Sequence, residues 1–206
     1  NGSGKSTLLE AIAIACGFNP EGGTKNFNFC TRATHSSLEK AITIVKGVKK
    51  PKDGFFFRAE SFYNVASEID NLATGGGDYL KYYGGKSLHC QSHGESLFSL
   101  VQNKFGSNGL YILDEPEAAL SPQKLLSLIV VISQLIGKHA QFLIATHSPI
   151  LLGIPNASIL SFDNGRIHQI KYEDAECYKI TKMFINNRER MLEELLSPKL
   201  SPNFDS

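Results

Sequence analysis

Apolar residues recur along the chain in two patterns, which predict alternating strands and helices. Short, nearly continuous apolar runs indicate buried strands, and apolar positions three and four apart predict amphipathic helices. The predicted strands are 55–60, 110–113 and 141–146, and 158–171 reads as a hairpin with Asn164 and Gly165 in its turn. The predicted helices are 5–16, 36–46, 61–72, 95–105, 122–137, 174–185 and 187–196.

This order of elements favours an α/β fold, because buried strands that alternate with helices form a sheet covered by helices. The polar, proline-containing residues 197–206 predict a disordered tail, which leaves residues 1–196 as one folded domain. A chain of 206 residues with 42% hydrophobic and 20% charged positions is sufficient for one sizeable core.

Charge and cysteine usage exclude few partners. The net charge is +1, so composition gives no electrostatic argument for binding nucleic acid or a membrane surface. The four cysteines form no CxxC pair, which is typical of reduced thiols. No apolar run of about 18 residues and no leader pattern occur. The sequence therefore predicts a cytoplasmic protein without a membrane segment.

The first seven residues, NGSGKST, match all but the start of the phosphate-loop pattern G-x-x-x-x-G-K-[ST]. Glycines let backbone N–H groups turn toward a phosphate, and the helix that follows adds a favourable dipole. In this pattern Lys5 reaches the β- and γ-phosphates and the Ser6 hydroxyl holds Mg²⁺. The alternative is a glycine- and serine-rich turn that only caps the helix, but it explains the match of seven consecutive residues to this pattern less well. The predicted ATP-binding residues are Asn1, Gly2, Ser3, Gly4, Lys5, Ser6 and Thr7.

A phosphate loop normally follows a strand, which fixes the position of the turn. No strand precedes residue 1, so we expect the sequence to be an N-terminally truncated form of a longer protein that lacks its first strand or strands.

A second acidic motif follows the apolar run at 110–113. Asp114 ends this predicted strand and Glu115 comes next. In P-loop NTPases such an aspartate holds Mg²⁺, and the neighbouring glutamate is placed to polarise the attacking water. If this acidic motif is considered alone, a buried strand followed by an acidic surface turn explains it equally well. Together with the phosphate loop, the catalytic interpretation is favoured.

Three further motifs resemble those of ABC-type ATPases. The resemblance is nearest to the stand-alone predicted ATPases of the SMC-like and RecF-like branch. LDEPEAALS at 113–121 resembles the Walker B and D-loop, and ATHSP at 145–149 resembles the switch-histidine loop. QSHGES at 91–96 stands where that family has its signature. The resemblance implies a P-loop NTPase fold, an ABC-ATPase-like mixed sheet flanked by helices, with a small helical lobe at about 61–105 that carries the signature.

The resemblance also implies roles for individual residues. His147 would contact the γ-phosphate, Asp114 the metal, and Glu115 the attacking water. Two copies of such a domain sandwich two nucleotides, and the signature of one copy completes the site of the other. The signature positions that would act in this way are Ser92, His93, Gly94 and Glu95. Glu60 is the positional candidate for the Q-loop residue.

The sequence thus leads to two classes of function. The first is an ATPase that uses ATP and Mg²⁺, dimerises with ATP, and acts on a protein or nucleic-acid partner that remains unidentified. The second is a nucleotide-binding module or inactive remnant, because the phosphate loop is truncated and Ser121 replaces the D-loop aspartate. The ATP-binding subunit of a transporter is a less favoured alternative, since the signature is atypical. His89, Cys90 and His93 do not indicate zinc, because no second ligand pair follows.

Overall fold

The computed structural model describes residues 4–27, 37–74, 79–163 and 165–197. None of the helices in these ranges combines the length and apolar character needed to cross a bilayer. The helices are α1 (Lys5–Ala15), α2 (Phe62–Thr74), α3 (His93–Lys104), α4 (Pro122–Ile136), α5 (Pro149–Leu152), α6 (Glu176–Asn186) and α7 (Arg188–Leu196). The strands are β1 (Asp53–Arg58), β2 (Gly109–Asp114), β3 (Gln141–Ala145), β4 (Ile159–Asp163) and β5 (Arg166–Ile170).

The central sheet is parallel, with the order β1, β2, β3. Every residue of β2 is buried, as expected of a middle strand covered on both faces. The register pairs Arg58 with Asp114 and Asp114 with Ala145, so the carboxyl ends of all three strands meet at one edge. Strands β4 and β5 form a separate antiparallel hairpin.

Successive side chains of β1 and β2 point to opposite faces of the sheet and build two apolar clusters. Phe55, Phe57 and Tyr111 face a cluster shared with α2, α3 and α4. Phe56 and Ile112 face the other side. There they meet Leu9 and Ala13 of α1, together with Phe18, Leu110 and Ala145. The sheet therefore has α1 packed on one face and α2, α3 and α4 on the opposite face.

Most of the predicted elements are confirmed within one to three residues at their ends, but the predicted helix at 36–46 is wrong. Within it the structure has a single 3₁₀ turn, Ser37–Lys40, followed by irregular chain. Ile42, Thr43, Ile44 and Val45 are β-branched and lose side-chain freedom in a helix. Val45 is also 92% exposed, so no packing offsets that cost.

The architecture is compatible with a P-loop NTPase fold: an α/β arrangement around a three-stranded parallel sheet. The one antiparallel contact to this sheet among the described residues is a bridge between Gly23 and Phe56. Helices α2 and α3 share one apolar cluster with α4, and the helical lobe at 61–105 stays a prediction. The predicted tail lies outside the described residues from position 198 onward.

Replacing Phe56 with Ala should lower the free energy of unfolding by about 3–5 kcal/mol, because it empties the largest fully buried position between α1 and the sheet. Urea denaturation followed by circular dichroism measures this change. Val130→Ala on α4, where the side chain is 56% exposed, is the control and should change stability by less than about 0.5 kcal/mol. Equal losses in the two variants would contradict the assignment of Phe56 to the core.

Candidate functional site

The first turn of α1 carries the described part of the phosphate loop. Gly4 precedes the helix with φ 80°, a left-handed conformation that glycine adopts without steric cost, and its carbonyl accepts a hydrogen bond from Leu8 N at 2.9 Å. Lys5 and Ser6 are half-buried and Thr7 is exposed. The N–H groups of this turn have no intrahelical acceptors, and the helix dipole there favours an anion. Residues 1–3 of the predicted loop lie outside the described residues.

The Ser6 hydroxyl meets the Asp114 carboxylate. Ser6 Oγ donates a hydrogen bond of 2.9 Å to Asp114 Oδ1, although the two residues are 108 positions apart. Asp114 is the last residue of β2 and only 4% exposed. The fold thus brings together the hydroxyl and the carboxylate that the sequence assigns to Mg²⁺.

A half-buried arginine lies beside this pair. Arg58, the last residue of β1, forms an ion pair through Nη1 with Glu10 of α1. Its Nε lies 3.7 Å from Asp114 Oδ2, and its Nη2 lies 3.5 Å from Glu60 Oε2. The Glu10 side chain is 7% exposed, whereas that of Glu60 is 82% exposed. Arg58 therefore connects α1, β2 and the predicted Q-loop position.

Burial sets the acidity of Asp114. Desolvation raises the pKa of this carboxyl above its ordinary value, while the hydrogen bond from Ser6 and the positive charge of Arg58 act in the opposite direction. The net direction is upward. The ionised carboxylate is therefore held at some cost in stability, and a cation at this position would relieve it.

Glu115 stands where the predicted catalytic base belongs, and its backbone is unusual. Its φ is 50°, a left-handed conformation that costs a residue with a Cβ about 1 kcal/mol or more. The backbone is held there by a 3.0 Å hydrogen bond from Glu115 N to the carbonyl of Ala145 at the end of β3. Left-handed geometry turns the side chain out of the strand and leaves it 44% exposed.

His147 lies next to Glu115. His147 Nε2 is 3.9 Å from Glu115 Oε1, and the histidine side chain is 45% exposed. The backbone N–H of His147 donates a 2.5 Å hydrogen bond to Glu117 Oε1, which fixes the loop after β3 against the 3₁₀ turn Pro116–Ala119. Both predicted catalytic side chains therefore lie at the carboxyl edge of the sheet, open to solvent, and Glu117 positions one of them.

The predicted signature forms the start of α3. Ser92 is the N-cap and accepts a hydrogen bond from Glu95 N, while the Glu95 carboxylate accepts bonds from both the backbone N–H and the hydroxyl of Ser92. This capping box satisfies two donors within the helix itself. These bonds and the nearby charge of Lys124 lower the pKa of Glu95, in that order of importance. His93 is exposed.

Gly94 is buried and lets α3 approach the turn that follows β2. A Cβ at this position would lie 2.6 Å from the carbonyl oxygen of Ala119. The start of α3 is therefore packed directly against the segment that carries Glu115 and Glu117, on the same chain.

Glu10, Arg58 and Glu117 belong to this arrangement, although the sequence motifs assign them no role. Signals for two of them were present. Glu10 is four residues after Ser6 on a predicted helix and so shares its face. Arg58 is a charged residue at the end of an apolar strand, where neighbouring parallel strands place their functional side chains. Only the fold shows that Glu117 meets the loop of His147.

The donor set fits magnesium rather than zinc. Mg²⁺ prefers oxygen ligands and commonly takes one or two protein groups plus waters and phosphate oxygens, which agrees with one hydroxyl and one carboxylate. In the described ranges no three His, Cys, Asp or Glu side chains are grouped so as to hold a metal ion.

Comparison with known proteins matches the middle of the chain to a protein family. Residues 96–153 match a family model described as "AAA domain, putative AbiEii toxin, Type IV TA system", a stretch of less than a third of the chain. It includes Asp114, Glu115 and His147 but neither Ser6 nor Arg58. No curated protein and no solved structure matched the chain. The match indicates a domain of the nucleotide-binding, ATPase-like class.

Asp114→Asn should raise the thermal unfolding midpoint of the ligand-free protein at pH 7 by a few degrees. A carboxyl whose pKa is raised on folding favours the folded state when protonated and costs stability when ionised. The advantage of Asn should therefore shrink as the pH falls through the raised pKa of folded Asp114, and it should vanish below the ordinary aspartate pKa of about 3.9, where the carboxyl is protonated in both states. Calorimetry at pH 7, 5.5 and 4 measures this trend.

Asp163→Asn, at an exposed position of β4, is the matched control. The amide oxygen of Asn can still accept the hydrogen bond that Ser161 donates, so the midpoint should change little at pH 7. A lower midpoint for Asp114→Asn at pH 7 would show that the contacts of the carboxylate outweigh its desolvation.

Proposed function

We propose that the chain binds ATP with Mg²⁺ at the carboxyl edge of the sheet and hydrolyses it. The observation that carries this proposal is the 2.9 Å contact between Ser6 Oγ and Asp114 Oδ1, because it joins the helix after the phosphate loop to the acidic end of β2. The match of residues 96–153 to an AAA domain model supports the same class.

The residues around this contact divide the work of hydrolysis. The first turn of α1 and Lys5 bind the phosphates, and Ser6 and Asp114 hold the metal ion, which when bound neutralises charge on the phosphate oxygens. Glu115 orients a water molecule and accepts its proton, since its carboxylate projects into solvent beside the metal-binding residues. His147, 3.9 Å from Glu115, donates a hydrogen bond to the terminal phosphate.

ATP-dependent dimerisation is the output that we propose for this site. In the arrangement suggested by the resemblance to ABC-type ATPases, the start of α3 in one copy closes the site of the second copy. Helix N-termini bind anions through free N–H groups and the helix dipole. Loss of the terminal phosphate would then release the partner copy.

A second candidate, a nucleotide-binding module or inactive remnant that does not turn over ATP, is favoured by one observation. The Glu95 carboxylate already occupies the N-terminus of α3 through its bonds to Ser92. A carboxylate there repels a second anion, so binding a phosphate in trans would require this capping box to open. The two candidates differ in whether the chain dimerises with ATP.

Replacing Glu115 with Gln should reduce phosphate release by about 100-fold or more while ATP binding is retained, because the amide cannot accept the proton of water. ATP should then stay bound, and the protein should sediment as a dimer with ATP and Mg²⁺. Phosphate release and sedimentation velocity are measured on the same samples.

Glu193→Gln on the exposed face of α7 is the matched control and should behave as the wild type. An ATP-bound Glu115→Gln protein that stays monomeric would support the second candidate. Undiminished phosphate release by this variant would contradict the role of Glu115.

A further inference from the structure

We infer that Arg58 is a positioning residue: it serves as the counter-ion of Asp114 in the nucleotide-free protein and shifts toward Glu60 when a metal ion binds at Asp114. The inference rests on the proposed function, since it concerns how the same site accepts its metal. It assigns to this chain a built-in cation that competes with Mg²⁺.

The position of the guanidinium carries the argument. Arg58 Nε lies 3.7 Å from Asp114 Oδ2, close enough for charge attraction but too far for a hydrogen bond. This Nε is buried and has no hydrogen-bond acceptor among the described residues. A buried donor left unsatisfied is costly, so the arrangement is held by its charges rather than by hydrogen bonding at this atom.

Glu10 anchors the arginine to the phosphate-binding helix. Its carboxylate is paired with Nη1, and its side chain is 7% exposed. Glu10 follows Ser6 by one helical turn, so the anchor and the metal-binding hydroxyl move together as parts of α1. Arg58 therefore cannot leave the site entirely, and its response to a metal is a local shift.

Glu60 provides the second position for the guanidinium. Its Oε2 lies 3.5 Å from Nη2, and its side chain is 82% exposed. The single negative charge of Asp114 cannot balance both Arg58 and a divalent cation, and the two cations repel each other. Metal binding at Asp114 therefore weakens the attraction between Arg58 and Asp114. Glu60 then takes up the displaced charge near the surface, where water also solvates it.

The measurable consequence is a ratio of affinities. Without metal, Arg58 screens the phosphates of a nucleotide from the Asp114 charge and so favours binding. With metal, Arg58 competes for the same carboxylate and opposes binding. Removing its charge should therefore weaken metal-free binding and strengthen metal-dependent binding. A simple distortion of the site would weaken both and leave the ratio unchanged.

The experiment measures the dissociation constant of a fluorescent ADP analogue once with Mg²⁺ and once with EDTA. For each variant, the ratio is the dissociation constant in EDTA divided by the dissociation constant in Mg²⁺. The test variant is Glu10→Gln/Arg58→Gln, which removes both charges of the Glu10–Arg58 ion pair, and Glu10→Gln alone is its reference. We expect the ratio to rise about tenfold or more over the reference. Arg58→Lys, which keeps the charge, should restore the ratio to within about threefold of the wild type.

Glu60→Gln tests the same inference and leaves the Glu10–Arg58 ion pair intact, so we expect the variant to fold normally. Because it removes the acceptor for the displaced guanidinium, the ratio should fall about threefold. Lys104→Gln is the matched control: Lys104 pairs with Asp53 at 3.1 Å at the opposite end of β1, and its loss should leave the ratio unchanged.

The outcomes separate the two proposals. Unchanged ratios in the double variant and in Glu60→Gln, with normal binding by the wild type, would overturn the role of Arg58 and leave the proposed function standing. A wild-type chain that binds no nucleotide in either buffer would overturn the proposed function and this inference with it.

Discussion

The contact between the Ser6 hydroxyl and the Asp114 carboxylate depends on one constraint, the alignment of parallel strands at a common edge. Strands β1 and β2 are in register from Asp53 and Gly109 to Arg58 and Asp114, so their last residues are neighbours. Helix α1 packs on one face of this sheet through Leu9 and Ala13, and its first turn arrives beside the same edge. The site is therefore a consequence of how the core packs.

Several charged groups lie close together at that edge. Asp114 is almost fully buried, and desolvation raises its pKa. Arg58 offsets part of this cost and is itself neutralised by Glu10. Glu115 adds a strained backbone at the next position. Buried charges and strained residues are costly to stability and cluster where function requires them, which agrees with a catalytic role for this edge.

Sequence patterns predicted the order of elements and singled out Ser6 and Asp114, which the fold brings into contact, because phosphate loops and strand-terminal carboxylates carry strong local signals. The helix predicted at 36–46 was wrong because β-branched residues can have helical spacing of apolar positions and still not form a helix. The network of Glu10 and Arg58 was missed because it depends on strand register. The residues at Ser92 and Glu95, which were expected to act on a partner copy, form a capping box that stabilises the start of α3 in the same chain.

The most direct test of the central claim is a double-mutant cycle on the affinity for ADP with Mg²⁺, using Ser6→Ala, Asp114→Asn and the double variant. If both side chains hold one metal ion, each single change weakens binding and the double change is little worse than the poorer single one, because the shared interaction is lost only once. Additive losses, or full affinity in either single variant, would show that Ser6 and Asp114 do not act on a common metal–nucleotide complex.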